Sequence, residues 1–232
     1  MKKFSGIYEQ AINRKGGGAA GKKQLNTLLP KAKSKKQLLA MTDDRYLSEM
    51  SRRVFRAGLK HAMVDKKWPA FEIAFKQFNP TVVARFSDEQ LEALASDKSI
   101  IRHFGKIRAV RNNALMVTDV AVEYGSFGKM IAEWPEDDIV SLWMLLKKKG
   151  SSLGGHSGAR FLRMVGKDTF LLTDDVVAVL HREGVLGTLK TPTSKRDFLA
   201  AQSVFNQWHQ ESQRPYCEIS RIVSMSTGEN FL

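Results

Sequence analysis

One stretch of the sequence predicts a helix, a glycine-rich hairpin and a second helix. It is Leu146-Lys-Lys-Lys-Gly-Ser-Ser-Leu-Gly-Gly-His-Ser-Gly-Ala-Arg-Phe-Leu-Arg-Met-Val-Gly166. Gly150, Gly154 and Gly155 permit a tight reversal and let backbone N–H groups come close to an anion. The second helix starts near His156 and directs its positive dipole end to the same place, so a phosphate group fits the hairpin. A glycine-capped helix end and an ordinary interhelical turn explain these residues equally well.

The charge of the chain supports an anionic partner. Lysines and arginines number 37 against 24 acidic residues, which gives a formal net charge of +13. Lys147, Lys148 and Lys149 precede the hairpin and add charge that raises affinity for nucleic acid without reading its sequence. We therefore expect nucleic acid as the partner, ahead of a membrane surface.

Most of the charge excess lies in residues 1–36, where Glu9 is the single acid. Residues 14–36 contain Gly16-Gly-Gly18, Pro30 and several lysines but few large apolar side chains, a composition typical of a mobile basic segment. We predict that residues 1–41 form a basic N-terminal arm with the first helix, and that residues 42–232 form one domain with its hairpin at 146–160.

The cysteine content and the apolar runs limit where the protein can be located. The single cysteine, Cys217, excludes an intramolecular disulfide and indicates a reducing compartment. No run approaches the roughly 20 apolar residues of a membrane span, and the N-terminus lacks the apolar region of a signal peptide. A cytoplasmic location without membrane attachment is therefore expected.

The spacing of apolar residues predicts an all-α chain. From Gly105 to Tyr124 they recur at three- and four-residue steps, which indicates a long, half-buried helix. The segment Thr169–Thr173 is apolar and short enough for a β-strand, but the sequence contains no second strand that could pair with it. We therefore assign it to a linker. Further helices are predicted over residues 43–66, 68–76, 87–96, 138–149, 156–165, 175–184, 195–211 and 216–225.

Two acids, Asp174 and Asp175, open the apolar helix that contains Val176–Leu180, about twenty residues after the hairpin. Asp is favoured in the first turn of a helix, and Thr173 or Asp174 can simply cap it. One acid can cap while the other does chemistry. The pairing of a basic glycine hairpin with an acid at the next helix start favours the functional interpretation.

This pairing resembles the helix-hairpin-helix DNA glycosylase superfamily, whose fold has two helical lobes with a groove between them. Phe170-Leu-Leu-Thr-Asp-Asp-Val176 is similar to the catalytic segment of the inducible 3-methyladenine glycosylases, where the second acid is catalytic. The closing segments Phe205–Trp208 and Arg214–Ser220 are also similar to those of the superfamily. The resemblance implies that Asp175 is catalytic and that Asp174 caps the helix or orients its neighbour, although the two roles can be exchanged.

Residues 43–165 resemble the constitutive 3-methyladenine DNA glycosylase I family. The zinc-binding motifs of that family are absent at both ends of this chain, so no structural zinc is expected, while a monovalent cation at the hairpin stays open. Arg53 stands where the base-recognising Glu of the family belongs, and His61 stands in place of a pocket Trp. The matching motifs are Asp43-Asp-Arg-Tyr-Leu-Ser-Glu-Met50, Ala57-Gly-Leu59, Ile100-Ile-Arg-His-Phe-Gly-Lys-Ile107, Asn113-Ala114, Gly125-Ser-Phe127 and Leu146-Lys-Lys-Lys-Gly150.

The resemblance implies a monofunctional DNA glycosylase that flips a damaged, alkylated base out of double-stranded DNA, as a monomer in the bacterial cytoplasm. The start of the second hairpin helix offers no Lys for a Schiff base, which argues against strand cleavage. The predicted base pocket contains Arg53, Phe55, His61 and Trp68, although aromatic residues on such helices also serve as core. The predicted DNA contacts are Lys147, Lys148, Lys149, Gly150, Ser152, Gly154, Gly155, His156 and Ser157.

Two other functions remain open. A non-catalytic DNA-structure binder on the same scaffold is compatible with the changed pocket residues. A helical scaffold whose basic arm binds RNA or acidic partners ranks last. Arg52, Arg53 and Arg56 can contact phosphate or form a solvated helix face.

Overall fold

The computed structural model describes residues 2–228, and every regular element in this range is helical. The prediction of an all-α chain is confirmed. The α-helices are α1 Phe4–Asn13, α2 Gly18–Thr27, α3 Lys35–Leu39, α4 Asp43–Arg56, α5 His61–Ala74, α6 Pro80–Val83, α7 Asp88–Ser96, α8 Phe104–Tyr124, α9 Phe127–Glu133, α10 Ile139–Lys149, α11 His156–Val165, α12 Asp174–Arg182, α13 Lys195–Ser212 and α14 Tyr216–Met225. Short 3₁₀ helices cover Lys76–Phe78 and Glu136–Asp138.

The chain forms two compact units. The terminal unit contains the described parts of residues 1–32 and 168–232 together with Pro135–Val140. The central unit contains Lys33–Trp134 and Ser141–Lys167. The boundary predicted between residues 41 and 42 falls inside the central unit. Within residues 2–228, none of the helices combines the length and apolar character that a membrane span requires.

In the terminal unit, α1 packs against α2, α13 and α14, and α12 packs against α14. The ring of Phe170 stacks on that of Phe205 with centroids 4.3 Å apart. Trp208 is fully buried beside them, with its ring 5.4 Å from Phe205. Phe170, in the segment assigned to a linker, therefore belongs to the core of this unit.

The prediction of a mobile basic segment over residues 14–36 is wrong. Residues 18–27 form α2, whose Leu25 is fully buried. Gly21 lies so close to α1 that a Cβ atom there would be 2.5 Å from the carbonyl oxygen of Ile12. Close approach at Gly21 and one buried leucine dock a helix whose remaining side chains are polar or small. Composition alone does not reveal such a contact.

In the central unit, α8 packs against α4, α6, α7 and α9, and α4 also packs against α5 and α11. An aromatic cluster fills the space beside α4 and α5, and its members are Phe55, Trp68, Phe71, Phe75, Phe78 and Phe86. Ser34 and Ser87 cap α3 and α7, each in a reciprocal capping box. α9 and α6, which the sequence analysis missed, are only two turns and one turn long.

The helix predicted over residues 43–66 is two helices, α4 and α5, with a break at Ala57–Lys60. Gly58 adopts a φ of +74° there, a conformation that favours glycine. The ammonium group of Lys106 donates to the carbonyl oxygens of Phe55, at 3.2 Å, and Ala57, at 2.5 Å. A cation from α8 therefore satisfies two carbonyl groups at the end of α4, where Gly58 interrupts the helix.

Candidate functional site

The hairpin predicted from the glycines forms between α10 and α11. Ser152 and Gly155 take positive φ values of +61° and +56°, which turn the chain between the helices. A Cβ atom on Gly150 would lie 2.5 Å from Leu153 Cδ1 and 2.7 Å from the carbonyl oxygen of Leu146. Only glycine fits at position 150, because Leu153 folds back over it and is buried.

Asn113 of α8 holds the hairpin through two hydrogen bonds. Its side-chain nitrogen donates to the carbonyl oxygen of Ser151 at 3.1 Å, and its oxygen accepts from the Ser151 N–H at 2.7 Å. The Asn113 side chain is fully buried, so neither bond competes with water. In the sequence, Asn113 stands out only as part of a family motif. A fully polar side chain within the apolar stripe of α8 is the signal that could have revealed its role.

The turn leaves two backbone donors available at the start of α11. Ser157 N–H donates to the Gly154 carbonyl and Gly158 N–H to the Leu153 carbonyl, both at 3.1 Å. The N–H groups of Gly154 and Gly155 donate to no acceptor among residues 2–228. Together with the positive end of the α11 dipole, these two N–H groups can bind an anion.

The three lysines of the predicted DNA contact differ in their surroundings. Lys147 and Lys148 are exposed, and the stem of Lys147 lies beside Gly154. Lys149 Nζ pairs with Glu123 Oε2 at 3.1 Å. Ser152 is exposed, whereas His156 and Ser157 are half-buried. Lys147 is therefore the lysine whose position beside the glycines best fits an anion in the turn.

The two acids at the start of α12, Asp174 and Asp175, differ in their surroundings. Thr173 Oγ1 accepts the Val176 N–H at 3.4 Å and is the cap of the helix, so neither acid has that function. Asp174 is exposed, whereas Asp175 is half-buried and its Oδ2 accepts a hydrogen bond from Ser224 Oγ at 3.1 Å. Asp175 is the more strongly oriented carboxylate of the two. Its catalytic role stays a prediction.

A turn after α14 closes on the same carboxylate. Gly228 has a φ of +69°, and a Cβ atom at this position would collide with Asp175 Oδ1. The guanidinium group of Arg14, at the end of α1, donates to the Gly228 carbonyl oxygen. Both ends of the described chain therefore contribute to the surroundings of Asp175 within the terminal unit.

The structure places two residues of the predicted base pocket in the core. Phe55 is fully buried and Trp68 is 3% exposed. The Trp68 ring is stacked on Phe71, with centroids 4.9 Å apart, and on Phe78, with centroids 5.4 Å apart. Its Nε1 donates to Ser48 Oγ at 3.0 Å. Both rings are thus packed among other aromatic side chains in this structure, and the pocket role of Phe55 and Trp68 stays a prediction.

The other two predicted pocket residues lie elsewhere on the central unit. His61 is exposed at the first position of α5. Arg53 is half-buried on α4, and its Nε is shielded from solvent without a hydrogen-bond partner among the described residues. Burial lowers the pKa of Arg53, and the nearby charges of Arg160 and Arg56 lower it further. The pocket roles of His61 and Arg53 stay predictions.

Comparisons with known proteins agree with the resemblance found in the sequence. Residues 39–148 match the model of the methyladenine glycosylase family. DNA-3-methyladenine glycosylase 1 of Escherichia coli strain K12 is 44% identical over 59 residues, which are 25% of this chain and 32% of that protein. The chain thus spans about a third of the length of this curated relative. The resemblance to 3-methyladenine DNA glycosylase I is confirmed.

Solved structures extend the likeness to the fold. An 8-oxoguanine glycosylase/lyase of Methanocaldococcus jannaschii, solved in complex with a 15mer DNA containing 8-oxoguanine, aligns over 94% of each chain with a TM-score of 0.54 and 10% identity. 3-Methyladenine DNA glycosylase I of Staphylococcus aureus aligns over 54% of this chain and 77% of its own, with a TM-score of 0.49 and 26% identity. The chain has the helix-hairpin-helix glycosylase fold that the sequence predicts.

Proposed function

We propose that the protein is a monofunctional DNA glycosylase that excises damaged bases of the alkylated, 3-methyladenine class from double-stranded DNA. The hairpin carries this proposal, because its geometry is built for an anion. Asn113 and Leu153 fix the turn, and the N–H groups of Gly154 and Gly155 have no acceptor among residues 2–228. A DNA phosphate is the anion that a glycosylase must hold while it extrudes a nucleotide.

Asp175 supplies the chemistry in this proposal. As the N-glycosidic bond breaks, the deoxyribose develops oxocarbenium character, and a fixed carboxylate stabilises that charge. The same carboxylate accepts a proton from the water that attacks the sugar, and the base leaves with the bonding electron pair. Ser224 orients Asp175 through its hydrogen bond. The groove expected between the two lobes stays a prediction.

The proposal includes neither strand cleavage nor zinc. His156-Ser-Gly-Ala159 opens α11 without a lysine that could form a Schiff base with the sugar. The Cys and His motifs with which the family binds zinc are absent from the sequence. We propose that the enzyme acts as a monomer in the cytoplasm.

The test compares Asp175→Asn with Asp174→Asn as a matched control. We expect Asp175→Asn to slow excision by about 10²-fold or more, because the amide cannot stabilise the developing charge, while DNA binding is retained. Asp174→Asn should stay within a few-fold of the wild type, because Asp174 is exposed. Base release from alkylated genomic DNA is measured by mass spectrometry, which also identifies the lesion. Unchanged turnover in Asp175→Asn contradicts the assignment.

A non-catalytic DNA-structure binder is the second candidate. The placement of Phe55 and Trp68 in the aromatic core favours it, because both rings are buried and pack on other aromatic side chains in this structure. Binding of DNA without released base or abasic product, across a panel of lesions, would select this function over excision.

A further inference from the structure

The central unit contains two neighbouring arginines that have no carboxylate partner in the part of the chain that the structure describes. Arg53 lies on α4 and Arg160 on α11, and these two helices pack against each other. Neither guanidinium group forms an ion pair with a carboxylate among residues 2–228. The Nε–H group of Arg53 is shielded from solvent and donates to no acceptor among the described residues.

Two other arginines of α4, Arg52 and Arg56, have carboxylate partners. Arg52 pairs with Glu49 at 3.1 Å and lies over the ring of Trp68. Arg56 binds both carboxylate oxygens of Asp65 at 2.7 Å. Arg53 lies between these two in the sequence and has no carboxylate partner among residues 2–228. The positive charges of Arg160 and Arg56 lie close enough to act on it.

A third cation stands near Arg53. The Lys106 ammonium group is held by the carbonyl oxygens at the end of α4. Burial lowers the pKa of Lys106, and the charge of Arg53 lowers it further. A half-buried cation that faces other cations destabilises a protein unless an anion joins them. The described residues supply no such anion for Arg53 and Arg160, so the two arginines are suited to bind an anionic group of another molecule.

The position of Arg160 connects this cluster to the hairpin. Arg160 follows His156 by four residues, so it lies one turn and about 6 Å further along α11 than the start of that helix. Phosphates of one DNA strand rise by about 3.4 Å per nucleotide. A strand whose phosphate binds at Gly154 and Gly155 can therefore bring a second phosphate to Arg160 and Arg53. Guanidinium groups bind phosphate oxygens with paired hydrogen bonds.

We propose that Arg53 and Arg160 form a second phosphate site, which binds the DNA backbone beside the phosphate held by the hairpin. The site contributes affinity and register on the strand, and it does not recognise the damaged base. This inference rests on the proposed DNA-binding function. It replaces the pocket role that the sequence suggested for Arg53.

The experiment measures the affinity of the full chain for a lesion-containing duplex over a range of salt concentrations. We expect Arg53→Gln/Arg160→Gln to reduce the slope of log K against log salt by about 0.9, the value for one lost phosphate contact on duplex DNA. Arg53→Lys/Arg160→Lys keeps the charge and should retain the slope while binding more weakly. Arg85→Gln, which removes an exposed arginine of the same unit, is the matched control and should leave the slope unchanged.

Thermal unfolding of the DNA-free variants supplies a second measurement. Arg53→Gln should melt at the same temperature as the wild type or higher, because the substitution removes repulsion between like charges. A loss of thermal stability in Arg53→Gln would assign Arg53 a structural role and overturn the inference.

Two further outcomes separate the inference from the proposed function. If the slope stays unchanged in Arg53→Gln/Arg160→Gln but falls when Lys147, Lys148 and Lys149 are all replaced by Ala, the second site is wrong and the hairpin contact stands. A change in which bases are released by Arg53→Gln, at an unchanged slope, would return Arg53 to the base pocket. Absence of DNA binding by the wild type would refute the proposed function itself.

Discussion

Glu72 organises the polar side of the aromatic cluster in the central unit. Its Oε1 accepts from Ser48 Oγ at 2.7 Å, and its two oxygens accept from Arg45 Nη1 and Nη2 at 3.0 and 2.9 Å. Ser48 in turn accepts the Trp68 N–H. Burial alone would raise the pKa of Glu72, but the hydrogen bonds from Arg45 and Ser48 outweigh it, so the pKa lies below its usual value.

Glu72→Gln should lower the free energy of unfolding at pH 7 by about 1–2 kcal/mol, because the amide keeps the shape but loses the charge that Arg45 and Ser48 stabilise. The pKa of Glu72 is lower in the folded state than in the unfolded one. The stabilisation by its charge is therefore fully present above about pH 4.3, and it is lost as the pH falls through the pKa of the folded state. Urea unfolding of both proteins at pH 7 and at pH 3 measures the effect.

The control for this prediction is Glu92→Gln, which changes an exposed acid of α7 and should leave stability unaltered at both pH values. A difference between wild type and Glu72→Gln that is as large at pH 3 as at pH 7 would show that shape, rather than charge, accounts for the loss.

Individual roles were predictable where backbone chemistry restricts the residue. Gly150 was identified because a turn between two helices requires it, and the structure leaves no space for a Cβ atom there. Phe55 was assigned to a pocket by its place in a motif, but which ring packs on which depends on contacts distant in sequence. Ser224 gave no signal, because its partner Asp175 is 49 residues away.

Among the helices, α8 joins core packing to the hairpin. Its apolar residues Val110, Ala114 and Val117 are buried, and Asn113 interrupts the same stripe to bind Ser151. Both polar groups of the Ser151 backbone depend on this one side chain. The long helix thereby holds the hairpin in place within the central unit.

Asn113→Ala should cost about 1–3 kcal/mol of stability, because the N–H and carbonyl groups of Ser151 lose their partners. The hairpin should also bind DNA more weakly, since the turn that presents Gly154 and Gly155 is no longer held. Asn112→Ala is the matched control, because its side chain is exposed on the adjacent position of α8. Thermal unfolding and DNA affinity are measured for both variants, and equal affinity in the two would contradict the role of Asn113.

Helix prediction succeeded where the sequence provides its own boundaries. α11 and α14 have the predicted limits, since Gly166 ends the first in a left-handed conformation and Pro215 precedes the second. The break between α4 and α5 was missed although Gly58 lies at it, and the hydrogen bonds from Lys106 to the end of α4 join residues about fifty positions apart. α2 was missed because its stability comes from contact with α1.

The two units differ in how the chain builds them. The terminal unit joins α1 and α2 to α13 and α14, with Phe4 close to Trp208 and the Phe4 N–H bound to Glu211 Oε2 at 2.8 Å. Residues 4–27 of the basic N-terminal region are therefore part of a folded core, and Lys22 and Lys23 are carried on α2 rather than on a mobile arm.

Deletion of residues 2–32 should unfold the terminal unit, because it exposes the apolar surface that α1 and α2 cover. The expected result is loss of a thermal transition and rapid proteolysis within residues 168–228. Replacing the exposed Lys22 and Lys23 of α2 by Gln removes charge without packing and should leave the transition unchanged. A deletion variant that melts like the wild type would restore the interpretation of residues 14–36 as a mobile segment.

The pairing of α1 with α13 and α14 also sets an order of events on the ribosome. The central unit is complete once Lys167 has emerged, whereas the terminal unit must await α14, roughly 60 residues and about 3–12 s of translation later. The helices synthesised first are thus among the last to find their partners. During that interval the apolar faces of Phe4, Ile7 and Leu25 are open to chaperones or to aggregation.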